Sequence, residues 1–198
     1  MFNNFSAISG SYSNPLQIGD SYLGGIIGYL LQPGDPGYDY YVQHGLIISP
    51  TTPPLVDDGG GGICWPSGYP WSMQNVGAQP NLTSLSSAIG TGQANTNTIV
   101  AAYNPYGEIC TYNPAKLCDI YTINGFSDWY LPSLNELTSI GANRALLPDW
   151  NYGYWTSTQV NQTNAYMVNT STNAVQSEPK WSDGGGARYF RYRPTRRF

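Results

Sequence analysis

Ser133 and Glu136 stand three residues apart in "PSLNEL" (132–137) and fix a helix start more sharply than any other feature of the chain. In such a capping box the Ser oxygen accepts from the backbone N–H three residues on, and the Glu carboxylate reaches back to the Ser N–H. Leu134, Leu137 and Ile140 follow at helical spacing and predict a stripe buried against a sheet. Glu136 thus has a structural task, which weakens it as a general base. A second start lies in "NPAKLCDIY" (113–121), with Asn113 as cap and Pro114 at the first helical position, where its missing N–H costs nothing. A third helix fits "ANTNTIVAAY" (94–103), whose Ile99, Val100 and Tyr103 share a face.

After the capped helix the pattern changes to short β segments. "YGYWTST" (152–158), "AYMVNTS" (165–171), "AVQSE" (174–178) and "ARYFRYR" (187–193) are aromatic or β-branched and separated by Asn, Gly and Asp turns. Upstream, "GGIIGYLL" (24–31) reads as a buried strand, "GDPGYDY" (34–40) as a turn cluster and "HGLIIS" (44–49) as the returning strand of a hairpin. Helices in the middle and an antiparallel meander at the end predict an α+β domain. Residues 1–18 are polar and read as an extended N-terminal arm, which leaves 19–198 as a single domain with one sizeable core. Gly and Pro recur so densely over 50–73 that this stretch reads as a long loop, and such loops tend to carry function.

Only 10% of the residues are charged, against about 25% in ordinary soluble proteins, while the chain holds 17 Tyr and 23 Gly. A surface of Tyr, Ser, Asn and Gly is the vocabulary of paratopes, where Tyr offers rigid contact area at low entropic cost. The net charge is −4, yet Arg188, Arg191, Arg193, Arg196 and Arg197 all lie in the last eleven residues, and removing their five charges leaves −9 on residues 1–187. A nucleic-acid binder spreads its cations along a groove, so no nucleic acid is expected as partner. The tail reads instead as a final strand whose arginines pair with the acidic body, ahead of a dock for an acidic partner. No apolar run reaches the ~18 residues that span a membrane, and no basic segment followed by an apolar one opens the chain, so neither a membrane partner nor a Sec signal is expected.

Cys64, Cys110 and Cys118 lack zinc spacing, and His44 is the single His, so no metal site and no cofactor is expected. Cys110 and Cys118 are close enough to bridge a short loop, while three reduced cysteines fit assembly in a reducing cytosol equally well.

A resemblance covers most of the chain. The stretches "GDSYLGGIIGYLL" (19–31), "HGLIIS" (44–49), "IGTGQANTNTIVAAY" (89–103), "AKLCDIYTINGFSDWYLPSLNEL" (115–137), "YWTSTQ" (154–159) and "FRYRP" (190–194) carry it in order. Residues 19–195 resemble the C-terminal-domain family of the bacterial collagen-like adhesin Lcl, whose members have a C-type-lectin-like fold. The resemblance implies that "DWYLPS" is framework, with Trp129 and Leu131 in the core and Pro132 opening the helix. It also implies that the first and last strands pair, placing "GGIIGYLL" beside "ARYFRYRP". The Pro/Gly-rich insert at 50–62 departs from the family, so no binding surface near it is carried over.

Catalysis is not expected. The lectin-like fold is similar to that of formylglycine-generating enzymes, which need a reactive cysteine pair, and no activating cation accompanies the cysteines here. A Ser-His-Asp arrangement would have to use His44, which heads a strand, and no spacing marks any two of Asp128, Glu136, Asp149, Glu178 and Asp183 as a carboxylate pair. The calcium motifs of carbohydrate-binding C-type lectins are absent, and the one carboxylate of "WSDGGG" (181–186) is thin coordination for an ion that takes six to eight oxygens. Binding is expected where the late loops meet the long insert, on Tyr69, Trp71, Trp150, Tyr152, Trp181 and Asp183. The composition and the resemblance together predict a non-enzymatic recognition module. The leading expectation is a phage virion component, a tail-tip, fibre or capsid-decorating subunit at the virion surface that engages a host-surface glycan or protein. Its arm would hold it to neighbouring structural subunits, as a homo-oligomer or bound to the particle. The alternatives are a bacterial adhesin domain at the cell surface or in the extracellular space, and a purely structural decoration subunit.

Overall fold

The computed structural model describes residues 14–53, 70–72, 80–103, 113–180 and 190–198. Among them are three helices and two small antiparallel sheets, a mixed α+β architecture. The first sheet joins β1 (Ser21–Tyr22), β2 (Gly25–Leu30), β3 (Gly45–Ile48) and β7 (Thr195–Arg197) in that order. The second is a meander of β4 (Gly153–Gln159), β5 (Asn164–Asn169) and β6 (Ala174–Pro179). Between them in sequence come α1 (Gly92–Tyr103), α2 (Pro114–Asp119) and α3 (Leu134–Ala142), the last followed by a short 3₁₀ turn, Arg144–Leu146.

β3 is apolar along its length because both of its faces are covered. Leu46 and Ile48 point towards α3 and pack with Leu137, Ile140, Trp150, Tyr154 and Val168. Ile47, of the opposite parity, packs with Ile27 and Trp129 on the other side of the sheet. A third cluster fills the space between α1, α2 and the meander with Ile99, Tyr103, Leu117, Leu131, Trp155 and Met167. Helix α2 starts as read, with Pro114 in its first turn and Asn113 Oδ1 accepting from Lys116 N at 2.8 Å.

The "DWYLPS" segment is framework, because its residues tie together β7, α1, β4 and the start of α3. Both carboxylate oxygens of Asp128 accept from the Arg196 guanidinium at 2.8 Å. Trp129 and Leu131 are buried, as the resemblance implied, and Tyr130 exchanges backbone hydrogen bonds with Thr195. Leu131 N donates to Thr96 Oγ1 of α1 at 3.0 Å, and the Pro132 carbonyl accepts from Ser157 N of β4 at 2.8 Å. Ser133 and Glu136 close the capping box. Pro132 does not open the helix: Ser133 is the N-cap, in extended conformation so that its side chain can fold back over the first turn, and Pro132 precedes it.

The ends of the chain depart further from expectation. The first and last strands share a sheet but do not pair, because β3 lies between them and hydrogen-bonds to both β2 and β7. The last strand is Thr195–Arg197 rather than 187–193. Of that expected stretch, residues 190–193 form no ladder with β4 beyond the bridge Tyr154↔Arg191, beside which Phe190 packs edge to face on Trp155, and 187–189 lie outside the described residues. Pro194 has no N–H to continue a ladder, so regular pairing resumes beyond it. At the other end Leu16 exchanges hydrogen bonds with the Gln43 side chain, and Leu16 and Ile18 pack against the core, so the body already includes residues 16–18.

Candidate functional site

Arg193, Arg196, Arg197 and Glu136 are each committed to structural contacts. Arg193 is fully buried and donates to Ser49 O, Pro50 O, Thr52 Oγ1, Pro148 O and Asp149 O at 2.9–3.3 Å. Arg196 forms the two-pronged pair with Asp128 and lies 4.0 Å from the centre of the Phe126 ring, and Arg197 donates to Pro36 O at 2.7 Å. Arg193, Arg196 and Arg197 are therefore internal clamps, in line with the framework reading of the tail, while Arg188 lies outside the described residues. Glu136, also fully buried, accepts from Gly90 N, Ser133 N and Tyr130 Oη. His44 Nδ1 lies 3.0 Å from the Phe198 carbonyl, an acceptor only, so Nδ1 carries the ring hydrogen. Among the described residues no group of three or more His, Cys, Asp or Glu side chains is placed to hold a metal.

Of the residues expected to bind, two belong to the core. Trp71 is 1% exposed, its indole N–H donates to Thr156 O at 2.6 Å, and its ring meets Tyr103 edge to face. Trp150 is 6% exposed and tilts against Tyr154 at 5.2 Å. A Trp in a Gly/Pro-rich stretch looks like a surface plate in sequence, but so large an apolar side chain gains more by plugging the gap between sheet and helices. Tyr152 is 40% exposed, and the Arg191 guanidinium stacks over it at 4.7 Å. Tyr69, Trp181 and Asp183 lie outside the described residues, as do Cys64 and Cys110.

Cys118 is a free, fully buried thiol whose pKa burial pushes well above its ordinary value, with Asp119 adding to the effect. Its thiolate is disfavoured, and the thiol is expected to resist iodoacetamide in the native protein and to react once guanidinium chloride unfolds it. Peptide mass spectrometry reads this out, and native labelling of Cys118 would contradict the packing.

The surface feature that sequence reading missed is the loop between β2 and β3. Asp39 Oδ1 accepts from Tyr41 N at 2.6 Å and from Val42 N at 3.2 Å, an Asx turn that throws the neighbouring tyrosines outward. Tyr40 is 80% and Tyr41 91% exposed, and their rings touch edge to face at 5.1 Å. The base of the loop is fixed: Leu31 N donates to His44 O at 2.9 Å, and Asp35 Oδ2 accepts from Tyr29 Oη and Gln32 N at 2.8 Å. Burial, together with that carboxylate, pushes the Tyr29 hydroxyl up to about 12. Beside the tyrosines lies a cleft of about 300 Å³ lined by Leu31, Tyr38, Tyr40, Tyr41, Gln43 and His44. "GDPGYDY" reads as a turn, and the available signal was its closely spaced tyrosines with no helical or strand period to bury them.

Lys180 is fully buried, and desolvation pulls its pKa from 10.5 down to about 8. A cation whose folded pKa is depressed carries its full penalty below about pH 8 and loses it as pH rises towards 10.5. Stability is expected to rise between pH 7.5 and 9 by up to ~1 kcal/mol after solvent screening. Denaturant midpoints across that range check it, and the slope should vanish in Lys180→Met.

No family model matches the chain, and no curated protein matches it.

Proposed function

We propose that the protein is a non-enzymatic recognition module with a C-type-lectin-like fold. In this reading it sits at the surface of a phage virion, as a tail-tip, fibre or capsid-decorating subunit, and engages a glycan or protein of the host surface. Residues ahead of Leu16 attach it to a neighbouring subunit. The observation that carries the reading is the pair of exposed tyrosines on the pinned β2–β3 loop. Large aromatic side chains left in water on a rigid base cost solvation and contribute nothing to the core, which is the signature of a contact surface. The Tyr-, Gly- and Asn-rich composition, the scarcity of charge and the family resemblance support the same conclusion.

Two measurements test it. Mass spectrometry of purified virus particles, set against membrane and secreted fractions of the host, should recover the chain in stoichiometric amount with the particles. Recovery only at the cell surface would replace the virion reading with the bacterial adhesin one. The double substitution Tyr40→Ala, Tyr41→Ala should leave stability within about 0.5 kcal/mol. It should also weaken binding to whole host cells at least tenfold, as expected when truncation removes exposed aromatic anchors. Unchanged binding would move the contact surface away from this loop.

A further inference from the structure

A second cleft, of about 560 Å³, lies between residues 81–85 and the β4–β5 turn, and shares no lining residue with the tyrosine cleft. Its walls are neutral and rich in hydrogen-bonding groups, from Asn81, Thr83, Gln159 and Asn161, with Leu82 and Val160 giving an apolar edge. Gln159 joins this cleft to Lys180. The ammonium donates to Gln159 Oε1 at 2.6 Å, and Gln159 Nε2 donates in turn to Asn81 Oδ1 at 3.2 Å. The buried Trp71 ring also faces the ammonium, 4.5 Å from Nζ to its centre. Ser72, whose N–H donates to the Lys180 carbonyl, carries a buried hydroxyl with no hydrogen-bond partner among the described residues.

A buried cation is ordinarily paired with a carboxylate. Among the described residues none pairs with Lys180, and one of its three N–H donors has a hydrogen-bond acceptor. The charge nevertheless has a consequence for the surface. It fixes the Gln159 amide with its oxygen inward, which turns Nε2 outward, and Nε2 in turn holds the Asn81 oxygen and leaves the Asn81 NH₂ for the cleft. The chain of amides therefore runs as donors from a buried positive charge to an open, polar cleft.

We infer that this cleft binds the carboxylate of a sugar acid, received by the Asn81 and Gln159 amides, with Lys180 as the positioning charge behind them. A cation with no carboxylate partner among the described residues matches one anionic group. The neutral amide and hydroxyl walls match a hydroxylated scaffold, and the Leu82 and Val160 edge matches the C–H face of its ring. The strongly acidic remainder of the chain disfavours a polyanionic partner at the same place.

The test is titration of ¹⁵N-labelled protein with N-acetylneuraminate, with its neutral methyl ester and with glucuronate, following the side-chain amide signals of Asn81 and Gln159. Saturable shifts with the acids, at least tenfold weaker for the ester, are expected. Response to both acids indicates a general sugar-acid site, and response to N-acetylneuraminate alone indicates terminal residues of a glycan as the source. Lys180→Met should abolish the preference for acid over ester while the backbone spectrum stays folded. Should that variant fold poorly, Asn81→Asp, at an exposed position, places a like charge in the cleft and should abolish acid binding on its own. Equal response to acid and ester, or no shift of either amide by any of the three probes, overturns the inference. It stands apart from the tyrosine loop, so loss of cell binding in the tyrosine variant bears on that surface and leaves this one to its own titration.

Discussion

Replacing Arg193 with Met should destabilise the protein by ~3–5 kcal/mol, the range found when a buried, hydrogen-bonded charge loses its partner. The guanidinium is fully buried and reaches four backbone carbonyls and the Thr52 hydroxyl, drawn from residues 49–52 and 148–149. Neither of those segments is in regular structure at these positions, so the carbonyls have no ladder to return to. Asp149 Oδ2 adds an ion-pair contact at 3.7 Å and opposes the desolvation that lowers the guanidinium pKa. Methionine fills much of the space but leaves five acceptors facing apolar atoms. Lysine keeps the charge yet brings three donors on a single point, so it should recover only part of the loss. Against a total stability of about 5–15 kcal/mol, the Met variant should show a urea midpoint near the edge of the folded range. A midpoint within error of the parent would mean that Arg193 does not clamp these segments.

Glu136→Gln should cost ~2–4 kcal/mol although the side chain keeps its shape, because a donor replaces an acceptor among buried donors. Every partner of the carboxylate donates: Gly90 N at 2.9 Å, Ser133 N at 2.8 Å, Tyr130 Oη at 3.3 Å and the backbone of Gly92. The amide NH₂ must face at least one of them. Gly92 has no alternative either, since a Cβ there would collide with Glu136 Oε2 and the Tyr130 ring. Burial raises the carboxyl pKa above 4.5, with the backbone hydrogen bonds opposing the shift. A raised folded pKa gives a contribution present below the unfolded value and lost as pH rises through the folded one, so this part of the acid-range slope should disappear in the Gln variant. A parent-like midpoint in Glu136→Gln would show that the capping box is dispensable.

How much of this was legible in the sequence follows from how local each signal is. The capping box, the Asn113–Pro114 start and the alternating strands of the meander are set by neighbours within a few residues, and each lies close to where the sequence puts it. Arg193, Arg196 and Arg197 could be read as internal because the rest of the chain is acidic, but their acceptors could not be named. Most of those of Arg193 are backbone carbonyls, which leave no trace in side-chain identity. Strand order was misread at the ends because Pro194 shifts the pairing beyond the aromatic stretch that looks most strand-like. The site was harder still. Trp71 and Trp150 have the side chains of a binding surface, yet burial decides their role, and burial depends on contacts far along the chain such as Trp71 with Thr156. Tyr40 and Tyr41 were passed over for the complementary reason, since an Asx turn is plain in sequence while the direction in which it throws its tyrosines is not. The relay from Lys180 through Gln159 to Asn81 joins three residues with no shared motif and had no sequence signal at all.

The central claim, that this is a recognition module, is tested most directly by a binding isotherm of the labelled, purified protein on intact host cells, with unlabelled protein as competitor. The account predicts saturable binding that the competitor displaces. Absence of binding, from protein that is folded and recovered in particles at full stoichiometry, would contradict it and leave a structural subunit whose tyrosines meet only its neighbours.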